Sequence, residues 1–100
     1  TLWVCLSYGG RREIVAAANQ ALKEGSITEE TLAKNLWTAL MPDPDIIIRT
    51  GGEKRLSGFL TWQSIYSELF FVDEYWPDFS EKILDRILAE YTTRPRRMGK

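Results

Sequence analysis

Between Asp45 and Glu68 the chain reads DIIIRTGGEKRLSGFLTWQSIYSE, a stretch that concentrates residue types able to hold an anion. Arg49 ends a β-branched run, and Arg55 and Ser57 follow six and eight residues later, beyond the Gly51-Gly52 turn. A guanidinium stays charged and donates two parallel hydrogen bonds in a planar fork, which suits phosphate oxygens. The glycines allow positive φ and close approach of free backbone amides to an anion. Ser57 adds a hydroxyl, and a helix starting after it would add partial positive charge. Glu68 is a lone carboxylate in the otherwise apolar run Ile65–Phe71. Magnesium prefers oxygen ligands and often takes one or two carboxylates plus substrate phosphates. Together these residues describe a diphosphate pocket with a metal at its rim. Each also has a plainer reading: Arg49 paired with Glu53 or Asp45 in a solvated turn, and Glu68 as a strand-edge charge.

The bulk properties narrow the field. One hundred residues, 44% of them hydrophobic, suit one folded domain with a modest core rather than a disordered chain. With a net charge of −1 there is no global pull toward nucleic acid or anionic membrane, so any anion site is local. Histidine is absent, which excludes a Ser-His-Asp triad and a His-ligated zinc within this segment. Cys5 is the single cysteine, so no intrachain disulfide forms, and a cytoplasmic setting is the default. The apolar runs fall far short of the ~20 residues that span a bilayer, and no signal-peptide pattern is visible.

The elements that must position the site alternate between strand and helix. Leu2–Leu6 reads as a strand buried on both faces. Ser7-Tyr8-Gly9-Gly10-Arg11 then turns into a helix over about Arg11–Glu24, with Ile14, Val15, Ala18 and Leu22 on one face. That turn either cradles a phosphate or simply connects; without GK[ST] it is not a P-loop. Thr28 N-caps a second helix reaching about Leu40, with Leu32, Leu36 and Leu40 on a stripe, and Met41-Pro42-Asp43-Pro44 ends it. Asp45–Arg49 is a second buried strand. Ser57 caps a short helix over Gly58–Tyr66, and Glu68–Val72 is a third strand. Ser80 caps a last helix carrying Ile83, Leu84, Ile87, Leu88 and Tyr91 inward, with Pro95 beyond its end. The four tryptophans read mostly as structural, Trp62 as core with a ligand-facing position after the anion loop as its alternative. The basic tail of Arg94, Arg96, Arg97 and Lys100 is by default a solvated helix end, with an acidic-lipid contact or a clamp on a partner subunit as alternatives. The pattern implies an α/β fold, a parallel sheet flanked by helices, with ligands beyond the carboxyl ends of its strands. Glu68 starts its strand, so this rule alone puts it at the opposite end from Arg49.

Taken in order, Asp45–Glu53, Arg55-Leu56-Ser57, Phe59-Leu60 with Trp62-Gln63, Tyr66–Leu69 and Trp76–Phe79 closely resemble the C-terminal part of cis-prenyltransferases, most of all the bacterial undecaprenyl diphosphate synthase type. Tyr8–Arg11 with Glu13-Ile14, and Arg96–Gly99, match as well, so the resemblance spans essentially the whole chain. It implies that residues 1–100 are the C-terminal portion of one larger, six-stranded domain. It implies that Arg49, Arg55, Leu56 and Ser57 hold isopentenyl diphosphate, and that Glu68 helps bind Mg2+. The implied reaction adds isopentenyl units in cis to an allylic diphosphate such as farnesyl diphosphate, giving a polyprenyl diphosphate of the undecaprenyl, cell-wall carrier type. A cytoplasmic homodimer, at most peripheral to the membrane, with no transmembrane segment and no nucleic-acid partner, is implied too. Gly58 and Ser7 stand where the family often has Asn, which puts loop geometry in question. The family's Asp-Gly-Asn-Gly-Arg motif, with its catalytic aspartate, has no counterpart here, so the expectation is part of an enzyme, inactive by itself. Two rivals remain open: a non-catalytic subunit of a heteromeric cis-prenyltransferase, and an unrelated phosphate-binding module.

Overall fold

The computed structural model describes residues 1–99. In chain order it contains α1 (Gly10–Lys23), α2 (Glu29–Lys34), β1 (Ile46–Arg49), β2 (Glu68–Phe71), a 3-10 turn (Trp76–Asp78) and α3 (Glu81–Thr93). It divides into two compact units: Thr1–Asp43 with Ser57–Gln63, and Pro44–Leu56 with the chain from Ser64 onward.

The first unit is helical. α1 and α2 pack through Ala17, Leu32 and Leu36, with Ile14, Ala18 and Trp62 against them. Small side chains at Ala17 and Ala21 let the helices approach closely, and both are fully buried. The buried stripe of α1 is therefore Gly10, Glu13, Ala17 and Ala21. The expected face is displaced, since Val15 is 60% and Leu22 61% exposed. Thr28 does N-cap α2, in a reciprocal box with Thr31. The helix stops at Lys34 rather than Leu40: the amides of Asn35 and Leu36 turn to the carbonyls three residues back, Leu32 and Ala33, and further on the Thr38 amide donates to the Glu13 carboxylate. Leu40 is left exposed.

Leu2–Leu6 forms no strand, and Leu2, Val4 and Leu6 are exposed. A strand exists only through its ladder, and among the described residues the one sheet has two strands, β1 and β2. The predicted helix over Gly58–Tyr66 is likewise a series of turns. Ser57, Gly58 and Leu60 have φ of +51°, +82° and +47°, values a right-handed helix does not accept.

The second unit carries the sheet. β1 and β2 are parallel, in register from Ile46 beside Glu68 to Arg49 beside Phe71. Ser80 caps α3, its hydroxyl accepting from the Ile83 amide. Ile87 of α3 packs with Phe70 and Val72, and Ile46, Ile48, Phe79, Ile83 and Tyr91 pack around them. The parallel pairing with α3 packed on it is the α/β arrangement the sequence implied.

Candidate functional site

Arg49 is the last residue of β1, which delivers its side chain to the carboxyl end of the sheet. Beyond it, Gly51 and Gly52 take φ of +94° and +84°, so glycine is the residue this turn requires. Their amides are not aimed at an open pocket. Gly51 donates to the Glu74 carbonyl (2.8 Å) and Gly52 to the Val72 carbonyl (3.0 Å), which corrects the expectation of free amides and makes the loop a continuation of the sheet. A rigid loop is the outcome. Arg49 Nη1 donates to the Arg55 carbonyl at 2.5 Å, which links the two arginines through the loop itself. Arg55 forms an ion pair with Glu53, at 66% and 51% side-chain exposure. An exposed pair of this kind contributes at most about 1 kcal/mol, so a doubly charged phosphate group can displace Glu53. Leu56 is half-buried after them. Of the two carboxylates named as plainer partners for Arg49, Asp45 pairs with Arg96 and Glu53 with Arg55.

Ser57 belongs to the other unit. It is exposed and lines a cleft at the start of α1 with Gly9, Gly10, Arg12 and Thr61. The Gly10 amide there donates to the Gly58 carbonyl at 2.8 Å, so the turn before α1 is tied down by protein. Gly10→Ala puts a Cβ 2.3 Å from that carbonyl and 2.2 Å from Thr61 Oγ1. Overpacking of this kind costs roughly 1–3 kcal/mol, and a lowered urea midpoint for this variant checks it.

Glu68 opens β2, beside Ile46 and three residues along the ladder from the Arg49 pair. At ~3.3 Å per residue that is roughly 10 Å from the arginine end of the sheet. The structure brings Arg49 and Arg55 together and sets Glu68 at the opposite end of the strands. Glu68 Oε2 lies 3.2 Å from Arg94 Nη1. Arg94 also reaches the Leu69 carbonyl (3.1 Å) and Glu90 (3.1 Å), and its guanidinium sits 4.0 Å over the Phe70 ring. Arg96 contacts Asp45 (3.2 Å), the Tyr66 carbonyl (3.1 Å) and the Tyr91 hydroxyl. The default of a solvated basic tail is thus corrected for Arg94 and Arg96, whose partners raise both pKa values further: for Arg94 chiefly the bond to Glu90, for Arg96 chiefly that to Asp45. Lys100 lies outside the described residues. Among those described, no cluster of three or more His, Cys, Asp or Glu forms a metal cage. Glu68 is a single carboxylate paired with Arg94 in a cleft it shares with Arg96 and Arg97, so with the described residues alone it does not make a magnesium site.

One buried site carried no functional expectation. Glu13 is fully buried. Its carboxylate accepts from the Tyr8 hydroxyl (2.5 Å), the Thr38 amide (3.1 Å) and hydroxyl (2.8 Å), and Gln63 Nε2 (2.9 Å). Burial pushes its pKa up, but the hydrogen bonds from Tyr8, Gln63 and Thr38 outweigh it and hold the carboxyl below its ordinary value. Burial, then the bond to Glu13, drives the Tyr8 phenol upward. The signal was the i, i+4, i+8 alignment of Glu13 with Ala17 and Ala21. An acid on an alanine stripe is a buried acid that needs donors.

Residues 1–99 match the prenyltransferase family model described as undecaprenyl diphosphate synthase. An isoprenyl transferase of Neisseria gonorrhoeae is 51% identical over 102 residues, covering 100% of this chain and 41% of its own length. The crystal structure of an undecaprenyl diphosphate synthase from Campylobacter jejuni aligns with a TM-score of 0.85 and 38% identity, over 95% of this chain and 45% of that one. Lavandulyl diphosphate synthase from Lavandula x intermedia, solved with dimethylallyl diphosphate, gives a TM-score of 0.85 and 38% identity, over 95% and 44%. The chain spans about two fifths of the length of the curated relatives it matches.

Proposed function

This chain belongs to the cis-prenyltransferase family, and on that premise we propose that it supplies the isopentenyl diphosphate site of an enzyme that lengthens an allylic diphosphate in cis. The observation that carries the proposal is the arginine pair past the tip of β1. The glycine amides of the loop that joins Arg49 and Arg55 bond to carbonyls of the protein, so the guanidiniums rather than those amides are assigned the diphosphate. Leu56 follows them, and Ser57, two residues beyond Arg55 in the chain, is assigned a hydroxyl contact.

In the reaction the allylic carbon–oxygen bond breaks and diphosphate leaves. The double bond of isopentenyl diphosphate attacks the allylic carbon, a carbon–carbon bond forms, and proton loss creates the new cis double bond. Arg49 and Arg55 act by position. They hold the nucleophilic substrate by its diphosphate and convert a bimolecular encounter into an oriented one. Fixed cations also stabilise anionic oxygens where charge is concentrated. Glu68 stands at the other end of the strands from the arginine pair and is held by Arg94; its Mg2+ role is assigned on the family resemblance alone, and a bound ion would supply neutralisation of diphosphate charge. In this reading residues 1–100 are the C-terminal portion of a single domain. The catalytic aspartate of the family is contributed from outside these residues, and the segment by itself is inactive. The intact enzyme is assigned as a cytoplasmic homodimer acting beside the membrane that takes up its polyprenyl product. No described helix is long and apolar enough to cross a membrane.

Incorporation of labelled isopentenyl diphosphate onto farnesyl diphosphate by the intact protein tests the reading, and absence of any elongated product contradicts it. Glu68→Gln is expected to raise the magnesium concentration for half-maximal activity by about tenfold, the effect of removing one charged ligand worth ~1.5 kcal/mol. A magnesium titration that superposes on wild type removes Glu68 from the metal site.

A further inference from the structure

Gln63 is buried, 2% exposed, at the end of the run of turns that begins with Ser57. Its amide nitrogen donates to Glu13 Oε1 at 2.9 Å and to Thr38 Oγ1 at 2.5 Å. Its Oε1 is buried with no hydrogen-bond partner among the described residues. An unpaired buried acceptor offsets much of what the two donated bonds contribute, so the amide adds little net stability here. What it fixes is position. The same run is tied a second time near its start, where the Gly10 amide at the head of α1 donates to the Gly58 carbonyl at 2.8 Å. Thr61 Oγ1 donates to that carbonyl at 3.1 Å. Residues 57–63 are thus fastened to the first turn of α1 at two points, Gly10 and Glu13. Within the run Ser57 and Leu60 hold φ of +51° and +47°. Residues with a Cβ rarely adopt such values, and they persist only where the surroundings over-determine the backbone. Ser57 stands exposed at the start of the run, on a cleft of about 510 Å³ beside Gly10, Arg12 and Thr61. We propose that Gln63 is a positioning residue for isopentenyl diphosphate: its bonds to Glu13 and Thr38 hold the run in the conformation that presents the Ser57 hydroxyl to the diphosphate.

This rests on the assignment of Ser57 to the substrate. In this reading Gln63 touches no substrate atom and acts through Ser57 alone. Its removal leaves Glu13 the Tyr8 hydroxyl and the amide and hydroxyl of Thr38 as donors, so the buried carboxylate stays held. Loss of the Gln63 amide therefore loosens the run without dismantling the helical unit.

The test is steady-state elongation by the intact protein at saturating allylic diphosphate, with urea unfolding alongside. The proteins are wild type, Ser57→Ala, Gln63→Met, the double variant and Tyr8→Phe. Ser57→Ala is expected to raise KM for isopentenyl diphosphate about tenfold, the effect of one hydrogen bond to a charged group. Gln63→Met is expected to raise it about fivefold with kcat near wild type, because a displaced hydroxyl keeps part of that bond. The double variant matches Ser57→Ala, since two residues acting on one contact are not additive. Tyr8→Phe takes a different donor from Glu13 and leaves both fastenings of the run, so its urea midpoint falls while KM stays. Gln63→Asn, whose amide is one methylene short of Glu13, gives an intermediate KM and covers the case in which the methionine variant folds poorly. A wild-type KM in Gln63→Met and Gln63→Asn, single effects that multiply in the double variant, or a KM that rises equally in Tyr8→Phe, overturns the positioning role and leaves Ser57 in the site. An unchanged KM in Ser57→Ala overturns the positioning role and the Ser57 assignment together, while Arg49→Ala still reports on the rest of the diphosphate site.

Discussion

Arg49→Ala in the intact enzyme is expected to raise KM for isopentenyl diphosphate by about 10-fold to 100-fold, with the melting temperature within a few degrees of wild type. The guanidinium is assigned charge-assisted bonds to the diphosphate, each worth about 1.5–3 kcal/mol, and alanine removes all of them. Arg49 Nη1 also donates at 2.5 Å to the Arg55 carbonyl of its own loop. Loss of such a bond costs about 1 kcal/mol. Steady-state kinetics at saturating allylic substrate read the effect. An unchanged KM and kcat would remove Arg49 from the substrate site. Arg49→Lys separates charge from geometry: a lysine keeps the cation but not the fork, so an intermediate KM is expected.

The second large effect is on stability. Glu13→Ala removes the common acceptor of Tyr8, Thr38 and Gln63, stranding buried donors at about 1–3 kcal/mol each. A loss of about 3 kcal/mol or more in urea unfolding is expected, enough to unfold a marginal domain. The same network predicts a pH dependence. The folded pKa of Glu13 lies below its ordinary value, so its contribution is complete above the unfolded carboxyl range of about 4.3 and disappears as pH falls through the depressed folded value. Wild type is therefore expected to lose stability more steeply than Glu13→Gln on acidification from pH 5 toward 3. Parallel urea midpoints for the two proteins across that range would contradict it.

Local chemistry was legible wherever a short segment decides its own structure. Thr28 and Ser80 cap the helices they were expected to cap, because a cap is a contact between residues three apart. The β-branched run Ile46–Ile48 and the aromatic pair Phe70-Phe71 formed strands as expected, because each run has the other beside it in a parallel ladder. What failed depended on partners distant in sequence. Leu2–Leu6 has the composition of a strand but no described strand beside it. Beyond the early end of the second helix, the Thr38 amide goes to a carboxylate 25 residues away rather than to a helical ladder. The Gly51 and Gly52 amides looked available until Val72 and Glu74 came back along the sheet to use them. The arginines were found from residue type and spacing, whereas the partner of Glu68 lies 26 residues away and no local pattern announces it. Resemblance to a known family identified the chemistry that residue types had left at a diphosphate pocket.

The central claim is that Arg49 and Arg55 hold a diphosphate past the end of β1. A crystal structure of the intact protein with isopentenyl diphosphate tests it most directly. The account predicts diphosphate oxygens within hydrogen-bonding distance, ~3 Å, of both guanidiniums, with Arg55 turned from Glu53 to the ligand. A diphosphate seated elsewhere, with Arg55 still on Glu53 and Arg49 still on the Arg55 carbonyl, would contradict it.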